Sequence, residues 1–199
     1  EVCGLFEFLT YFYPSDISLC HGALHTVTSS ASASGNRTRA RKSLGQHFLA
    51  DTRIAGRILD AADLSPDDVI VEIGPGRGVL TKRMVNRVNR VVAVELDGEL
   101  AEALPSRLDF PVNLTCVKAD ARDVDLTELI APDTSYKVVA NLPYYAANPI
   151  IRRLLESEPK PDILVVMVQQ EVAKNMVAQP GDMGILSVAT QFYARVKMV

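Results

Sequence analysis

The chain has 199 residues, 21 basic against 24 acidic for a formal net charge of −3, and 48% of it is apolar, which excludes a disordered chain and argues for one or two packed domains. No run reaches the roughly 18 apolar residues of a membrane helix, and Cys3, Cys20 and Cys116 lack CxxC spacing, against a disulfide or zinc scaffold. The acidic balance supplies no global attraction to nucleic acid, so such a partner must be held by local basic clusters.

Residues 1–36 open with an aromatic, unpatterned run and continue into a Ser- and Ala-rich segment at Thr26–Gly35. No fold is assigned there, and a flexible or atypical N-terminal extension is expected. The charged residues at this end are Glu1, Glu7 and Asp16, so the basic region of a secretory signal is missing and the cytoplasm is the expected compartment. A basic run follows (Arg37, Arg39, Arg41, Lys42), then a helix with Asp51 as N-cap and Ile54, Ile58, Ala61 and Ala62 on one face.

Beyond it, apolar runs predict strands at Val69–Ile73, Val91–Glu95, Leu114–Lys118, Lys137–Asn141 and Ile163–Val168. Helical patterns fall between them at about Val79–Val88, Asp97–Leu104, Pro149–Glu156 and Glu171–Ala178. Alternation of helices with nearly all-apolar strands predicts a doubly wound α/β domain on a parallel sheet covered on both faces. Ligands of such a sheet lie beyond the carboxyl ends of its strands, near the reversal in strand order. Arg195–Val199 begins another strand, expected to lack its antiparallel partner and to leave an unpaired edge.

The strand ends carry the chemistry. The first runs through Glu72-Ile73-Gly74-Pro75-Gly76-Arg77-Gly78 straight into a helix, whose N-terminus is expected to offer N–H groups to an anion. The spacing is GxGxG, not the GxGxxG of dinucleotide folds. Glu95 ends the second strand, where a carboxylate can accept from two ribose hydroxyls, or where Glu95 or Asp97 simply caps the next helix. Asp120 follows the third strand and can accept from an adenine amino group. After the fourth comes Asn141-Leu142-Pro143-Tyr144-Tyr145: a side-chain carbonyl, a fixed turn and a flat ring, the parts for holding the exocyclic amine of a stacked heterocycle.

From about Arg41 to Val199 these motifs resemble the KsgA-type ribosomal RNA adenine dimethyltransferases. The resemblance runs through Gly45-Gln46-His47-Phe48-Leu49, Glu72-Ile73-Gly74-Pro75-Gly76, Val94-Glu95-Leu96-Asp97, Asp120-Ala121, Asn141-Leu142-Pro143-Tyr144, Gln169-Gln170-Glu171-Val172-Ala173 and Leu186-Ser187-Val188. It implies a Rossmann-like class I S-adenosylmethionine-dependent methyltransferase fold, with residues 37–199 as a catalytic domain incomplete at its C-terminus. It further implies N6,N6-dimethylation of two adjacent adenosines near the 3′ end of small-subunit ribosomal RNA. His47 and Leu49 would close over S-adenosylmethionine, Gly74 would lie against its methionine part, Gly76 would also bind the cofactor, Glu95 would hold the ribose and Asp120 the adenine amine. Asn141 would border both cofactor and target base, with Leu142, Pro143 and Tyr144 completing the acceptor site.

His47 stands where many relatives have Asn, and Gln170 replaces a frequent Lys. RNA contacts are expected from Arg37, Arg39, Arg41 and Lys42 and from Arg152 and Arg153. Lys82, Arg83, Arg87 and Arg90 are read as a solvated face. The expected partner is small-subunit ribosomal RNA or its precursor particle, with no metal and no membrane, and a monomer is expected. Three readings compete: a resistance-type large-subunit RNA methyltransferase, a DNA adenine methyltransferase, which would more often show Asp-Pro-Pro-Tyr, and a non-catalytic assembly or transcription factor on the same scaffold. Relatives continue past the equivalent of Val199, so the 199-residue chain is expected to keep the cofactor site but to turn over poorly or not at all.

Overall fold

A computed structural model describes residues 6–12, 19–22, 52–133, 135–142 and 145–199. In chain order the elements are β1 (Phe6–Phe12), β2 (Leu19–Gly22), α1 (Thr52–Ala61), β3 (Val69–Ile73), α2 (Thr81–Met84), β4 (Arg90–Glu95), α3 (Gly98–Arg107) and β5 (Leu114–Lys118). They continue with α4 (Leu126–Ile130), β6 (Lys137–Asn141), α5 (Ala147–Glu156), β7 (Ile163–Gln169), α6 (Gln170–Met176), α7 (Ile185–Tyr193) and β8 (Arg195–Met198). Strands β3 to β7 are parallel, with β3 seated between β4 and β6, β5 outside β4 and β7 outside β6. The chain therefore winds outward through β4 and β5 and then crosses back to β6 and β7. Strand order reverses between β3 and β6, which opens a crevice at their carboxyl ends.

Two apolar layers cover the sheet. On one face α1 and α2 pack Ile54, Ile58, Leu59 and Met84 against Ile70, Val91, Val139 and Val165. On the other, α4, α5 and α6 pack against Val71, Val92, Val138 and Val166. Helix α5 has no side-chain N-cap yet buries Ile150, Ile151, Leu154 and Leu155. Each such burial is worth roughly 1.5–3 kcal/mol, which outweighs the roughly 1 kcal/mol of a missing cap.

The five strands expected of the parallel sheet stand within one residue of their predicted bounds. Helix α2 is only one turn, where the apolar pattern predicted Val79–Val88. Residues after the glycine turn form successive turns, and the Asn113 side-chain amide donates to the Val85 and Val88 carbonyls just beyond α2. The helix N-terminus expected directly after the glycine turn therefore lies at Thr81, beyond a run of turns. The strands β1 and β2 lie in the segment for which the sequence suggested no fold, and β1 pairs antiparallel with β2, β7 and β8. Strand β8 is not left without an antiparallel partner, as had been expected, because β1 supplies one. The predicted N-cap Asp51 lies outside the described residues.

Candidate functional site

The crevice at the reversal point is built from a turn that glycine alone makes cheaply. Gly74, Gly76 and Gly78 have φ of 72°, 58° and 81°, a region that costs an L-residue roughly 1–2 kcal/mol. A Cβ on Gly74 would stand 3.2 Å from the main-chain oxygen of Asn141, so the ends of β3 and β6 approach as closely as backbone allows. The Gly74 N–H donates to the Val94 carbonyl at 2.9 Å, which docks the turn against the end of β4.

Glu95 ends β4, is 5% exposed, and stands under that turn. Its Oε2 accepts the Gly76 N–H and its Oε1 the Asp97 N–H, both at 3.0 Å. The capping role belongs to Asp97, whose Oδ1 accepts the Glu99 and Leu100 N–H groups at 3.0 and 3.4 Å. That separates the two readings of this acidic pair. Asp97 holds α3, while Glu95 braces the glycine turn and keeps acceptor capacity: a carboxylate has roughly four lone-pair sites, of which these bonds use two.

Asp120 follows β5, and the Ala119 N–H donates to the Glu95 carbonyl at 3.0 Å, which brings the exits of β4 and β5 together. Its carboxylate is engaged by Arg122, with Nη2 on Oδ2 at 2.6 Å, Nε on Oδ1 at 3.0 Å and the Arg122 main-chain N–H on Oδ1 at 2.9 Å. These bonds from Arg122 hold the Asp120 carboxyl below its ordinary range. Asn141 is half-buried at the end of β6. Leu142 is buried and its N–H donates to the Met167 carbonyl at 3.4 Å, which ties the start of the acceptor loop to β7. Gly74, Gly76, Glu95 and Asn141 are thus brought together, and Asp120 stands at the neighbouring strand exit. Pro143, Tyr144, His47 and Leu49 lie outside the described residues, as do Arg37, Arg39, Arg41 and Lys42.

Of the remaining cations, Arg152 is exposed and pairs with Glu156 at 2.8 Å, whereas Arg153 donates to the Val124 carbonyl and has a buried Nε without a partner. Arg153 is therefore built into the body of the domain rather than presented to solvent. Arg90 donates to the Leu129, Ile130 and Ala131 carbonyls at the end of α4.

Two residues of the site went unread in the sequence. Glu72, 1% exposed, accepts the Thr81 hydroxyl at 2.6 Å, and Thr81 is itself fully buried. The signal was a single carboxylate inside an otherwise apolar strand, two residues before Gly74. Burial, opposed by the Thr81 bond and reinforced by Glu95, pushes the Glu72 carboxyl up to about 8. Among the described residues, no group of three or more His, Cys, Asp and Glu side chains is arranged to hold a metal ion, and no helix is long and apolar enough to cross a membrane.

Residues 37–199 match the family model described as Ribosomal RNA adenine dimethylase. The chain is 47% identical over 165 residues to the Ribosomal RNA small subunit methyltransferase A of Dehalococcoides mccartyi, a match covering 83% of this chain and 57% of that one. It is 45% identical over 170 residues to the protein of the same name from Pelotomaculum thermopropionicum, covering 80% and 58%. Among solved structures, the 23S rRNA methyltransferase ErmE superposes with a TM-score of 0.61 at 30% identity, over 72% of this chain and 55% of that one. A dimethyladenosine transferase from Plasmodium falciparum gives 0.64 at 25% identity, over 73% and 52%. The chain spans little more than half the length of these relatives. The sheet is that of the Rossmann-like methyltransferases.

Proposed function

The chain belongs to the ribosomal RNA adenine dimethylase family, and on that premise we propose that it binds S-adenosylmethionine and dimethylates N6 of two adjacent adenosines near the 3′ end of small-subunit ribosomal RNA. The activity is proposed for the protein in full, acting as a monomer in the cytoplasm, with residues 37–199 as the catalytic domain that carries the cofactor site. The observation that carries this reading is the meeting of Gly74, Glu95 and Asn141 at three adjacent strand ends. The small-subunit substrate is favoured over the large-subunit one because the relatives at 43–47% identity bear the small-subunit name, whereas ErmE stands at 30%.

The residues present fit the cofactor. The glycine turn leaves room where a Cβ would collide, and an acidic site suits a ligand with a ribose diol and a positive charge. When bound, S-adenosylmethionine supplies a methyl group on a positively charged sulfur, with a neutral thioether as leaving group. Glu95 accepts the ribose hydroxyls through the lone pairs that Gly76 and Asp97 leave. Asp120 would accept the adenine amine through a lone pair that its bidentate pair with Arg122 leaves. His47 and Leu49 cover the cofactor from the N-terminal side.

On the acceptor side, the adenine N6 lone pair is delocalised into the ring and must be drawn out of conjugation. For the first transfer Asn141 Oδ1 and the Leu142 carbonyl would accept the two N6–H bonds and aim the lone pair at the donor, with Pro143 fixing the loop; as the N6–C bond forms and the S–C bond breaks, the N6 proton would leave to solvent after transfer. Catalysis is then placement and electrostatics. Tyr144 stacks on the extruded base, as modification of a base within structured RNA requires.

Equilibrium dialysis of the folded chain against S-adenosylhomocysteine is expected to show saturable uptake that Glu95→Ala abolishes. Absence of uptake by folded wild type refutes the proposal. With the complete reading frame, labelled methyl groups are expected in adenosines of undermethylated small subunits. Tyr144→Ala should weaken that transfer by the roughly 1–3 kcal/mol of one base–aromatic stack, and unchanged incorporation would remove Tyr144 from the site.

A further inference from the structure

Glu72 and Glu95 lie on the same face of adjacent strands. Glu72 is opposite Ala93 in the register, and Glu95 is two residues further along β4. Both are buried, at 1% and 5% exposure. A neighbouring carboxylate disfavours the charged form of a buried one, and burial adds to that.

The groups facing Glu72 from the surrounding elements are these. From α2 comes the buried Thr81 hydroxyl, while Lys82 is exposed and Arg83 donates to the Thr52 carbonyl. From β4 comes Glu95. From β5 come Cys116, whose thiol is pushed up by burial and then by both glutamates, and Lys118, which pairs in register with Glu95 and is exposed. The position opposite on β6 is Val139, and α1 presents Ile54, Ala55, Ile58 and Leu59. Among the described residues no buried cation reaches the pair.

The two carboxyl groups are not equivalent. Glu95 accepts the Gly76 and Asp97 main-chain N–H groups, whereas Glu72 is the more deeply buried and is bonded by Thr81 alone, through its hydroxyl and its main-chain N–H. Burial is what pushes the Glu72 carboxyl up, and the Thr81 bonds offset only part of that. Thr81 opens α2 directly beyond the glycine turn, so the bond from Thr81 to Glu72 closes that turn from behind, as Glu95 closes it at Gly76.

We propose that Glu72 is a positioning residue of the cofactor cradle, an uncharged carboxylic acid at neutral pH that pins the glycine turn through Thr81 on the side away from Glu95's bond to Gly76. The clause about the cradle rests on the proposed cofactor reading; the uncharged state does not. Ionisation as pH rises past about 8 places a second buried charge beside Glu95 and loosens the turn. The effect on stability has a fixed sign. The folded chain keeps a proton that the unfolded chain releases above its ordinary value near 4.5, so stability falls as pH rises from there to about 8 and then levels.

Carboxyl 13C NMR of the whole chain tests the protonation directly. One glutamate signal absent from Glu72→Gln is expected to keep its protonated shift at pH 6.5 and to move only above pH 7; if every glutamate has ionised by pH 6, the proposal falls. Chemical unfolding gives a second reading. The unfolding constant of wild type relative to Glu72→Gln is expected to rise by up to tenfold per pH unit between 5 and 8, and a ratio flat in pH overturns the assignment. Dialysis with S-adenosylhomocysteine tests the positioning. Glu72→Ala should bind at least tenfold more weakly, with Glu72→Gln restoring most of the affinity. Wild-type affinity should fall about tenfold from pH 7 to 9, and that of Glu72→Gln should not. A glutamine variant as weak as alanine, or an alanine variant as tight as wild type, refutes the positioning role. If folded wild type takes up no ligand at all, the cofactor reading fails and the cradle role fails with it, while the NMR and unfolding results still decide the protonation state.

Discussion

Gly74→Ala separates the architecture of the turn from mere foldability. At φ 72° an alanine pays roughly 1–2 kcal/mol for the left-handed backbone. Its Cβ would also press to 3.2 Å from the Asn141 carbonyl, and that oxygen has little freedom. Asn141 pairs with Met167 of β7, and the adjoining Ala140 pairs with Ile73 of β3, so relief requires shifting either a central strand or the turn itself. Strain from an added methyl in a packed site is typically about 1–3 kcal/mol, offset by roughly 0.4–1 kcal/mol from the stiffer unfolded chain. The net expectation is a loss of about 1–5 kcal/mol, within the range a domain survives. Urea unfolding reads the stability and dialysis with S-adenosylhomocysteine reads the site, where a turn displaced by a few tenths of an ångström should cost at least tenfold in affinity. Gly56→Ala is the internal control: nothing lies within 4 Å of its Cβ, and it sits in the middle of α1. It should stabilise the chain by roughly 0.5–1 kcal/mol and leave binding alone. If Gly74→Ala unfolds and binds like wild type, the close approach of β3 and β6 does not shape the site.

Asp97→Ala removes both bonds of the α3 cap and should cost about 1 kcal/mol in urea unfolding, with Asp97→Asn recovering most of it; equal losses in the two variants would mean that charge and not capping matters. Arg90→Ala strips donors from the carbonyls of Leu129, Ile130 and Ala131 and should destabilise by roughly 1–3 kcal/mol. Hydrogen exchange should accelerate first in Leu126–Ile130, and uniform acceleration across the sheet would point to a different role.

How far the sequence reaches can be seen element by element. The parallel strands were legible because both their faces are buried, so they appear as short β-branched runs that few other structures would use. The glycine turn, Glu95 and Asp97 were legible because left-handed backbone and helix capping each admit few residue types. Helix α7 was not. Its sequence, ILSVATQFY, has the look of a strand and leaves Ile185 and Phe192 exposed. What makes it a helix is contact with α6: Ser187 donates to the Asn175 carbonyl, and Gln191 donates to those of Met176 and Ala178. Those carbonyls stand at and just past the end of α6, where helix carbonyls lack a full set of partners along their own chain. Arg90 and Arg153 failed as surface cations for the same reason, since the carbonyls that claim them lie 29 or more residues away in the chain. The pairing of β1 with β8, far apart in sequence, left no local mark either.

The order of residues by itself determined the parallel sheet, the position of its glycine turn and the family to which the chain belongs. These follow from local backbone preference and from runs of side chains that must leave water. Only the tertiary structure decided which carboxylate caps and which faces the crevice, which arginines are consumed as internal donors, and that Glu72 is buried beside Glu95. Each of these depends on which polar groups meet once the strands are in register, and electrostatic energy in a buried site is set by those distances rather than by sequence spacing.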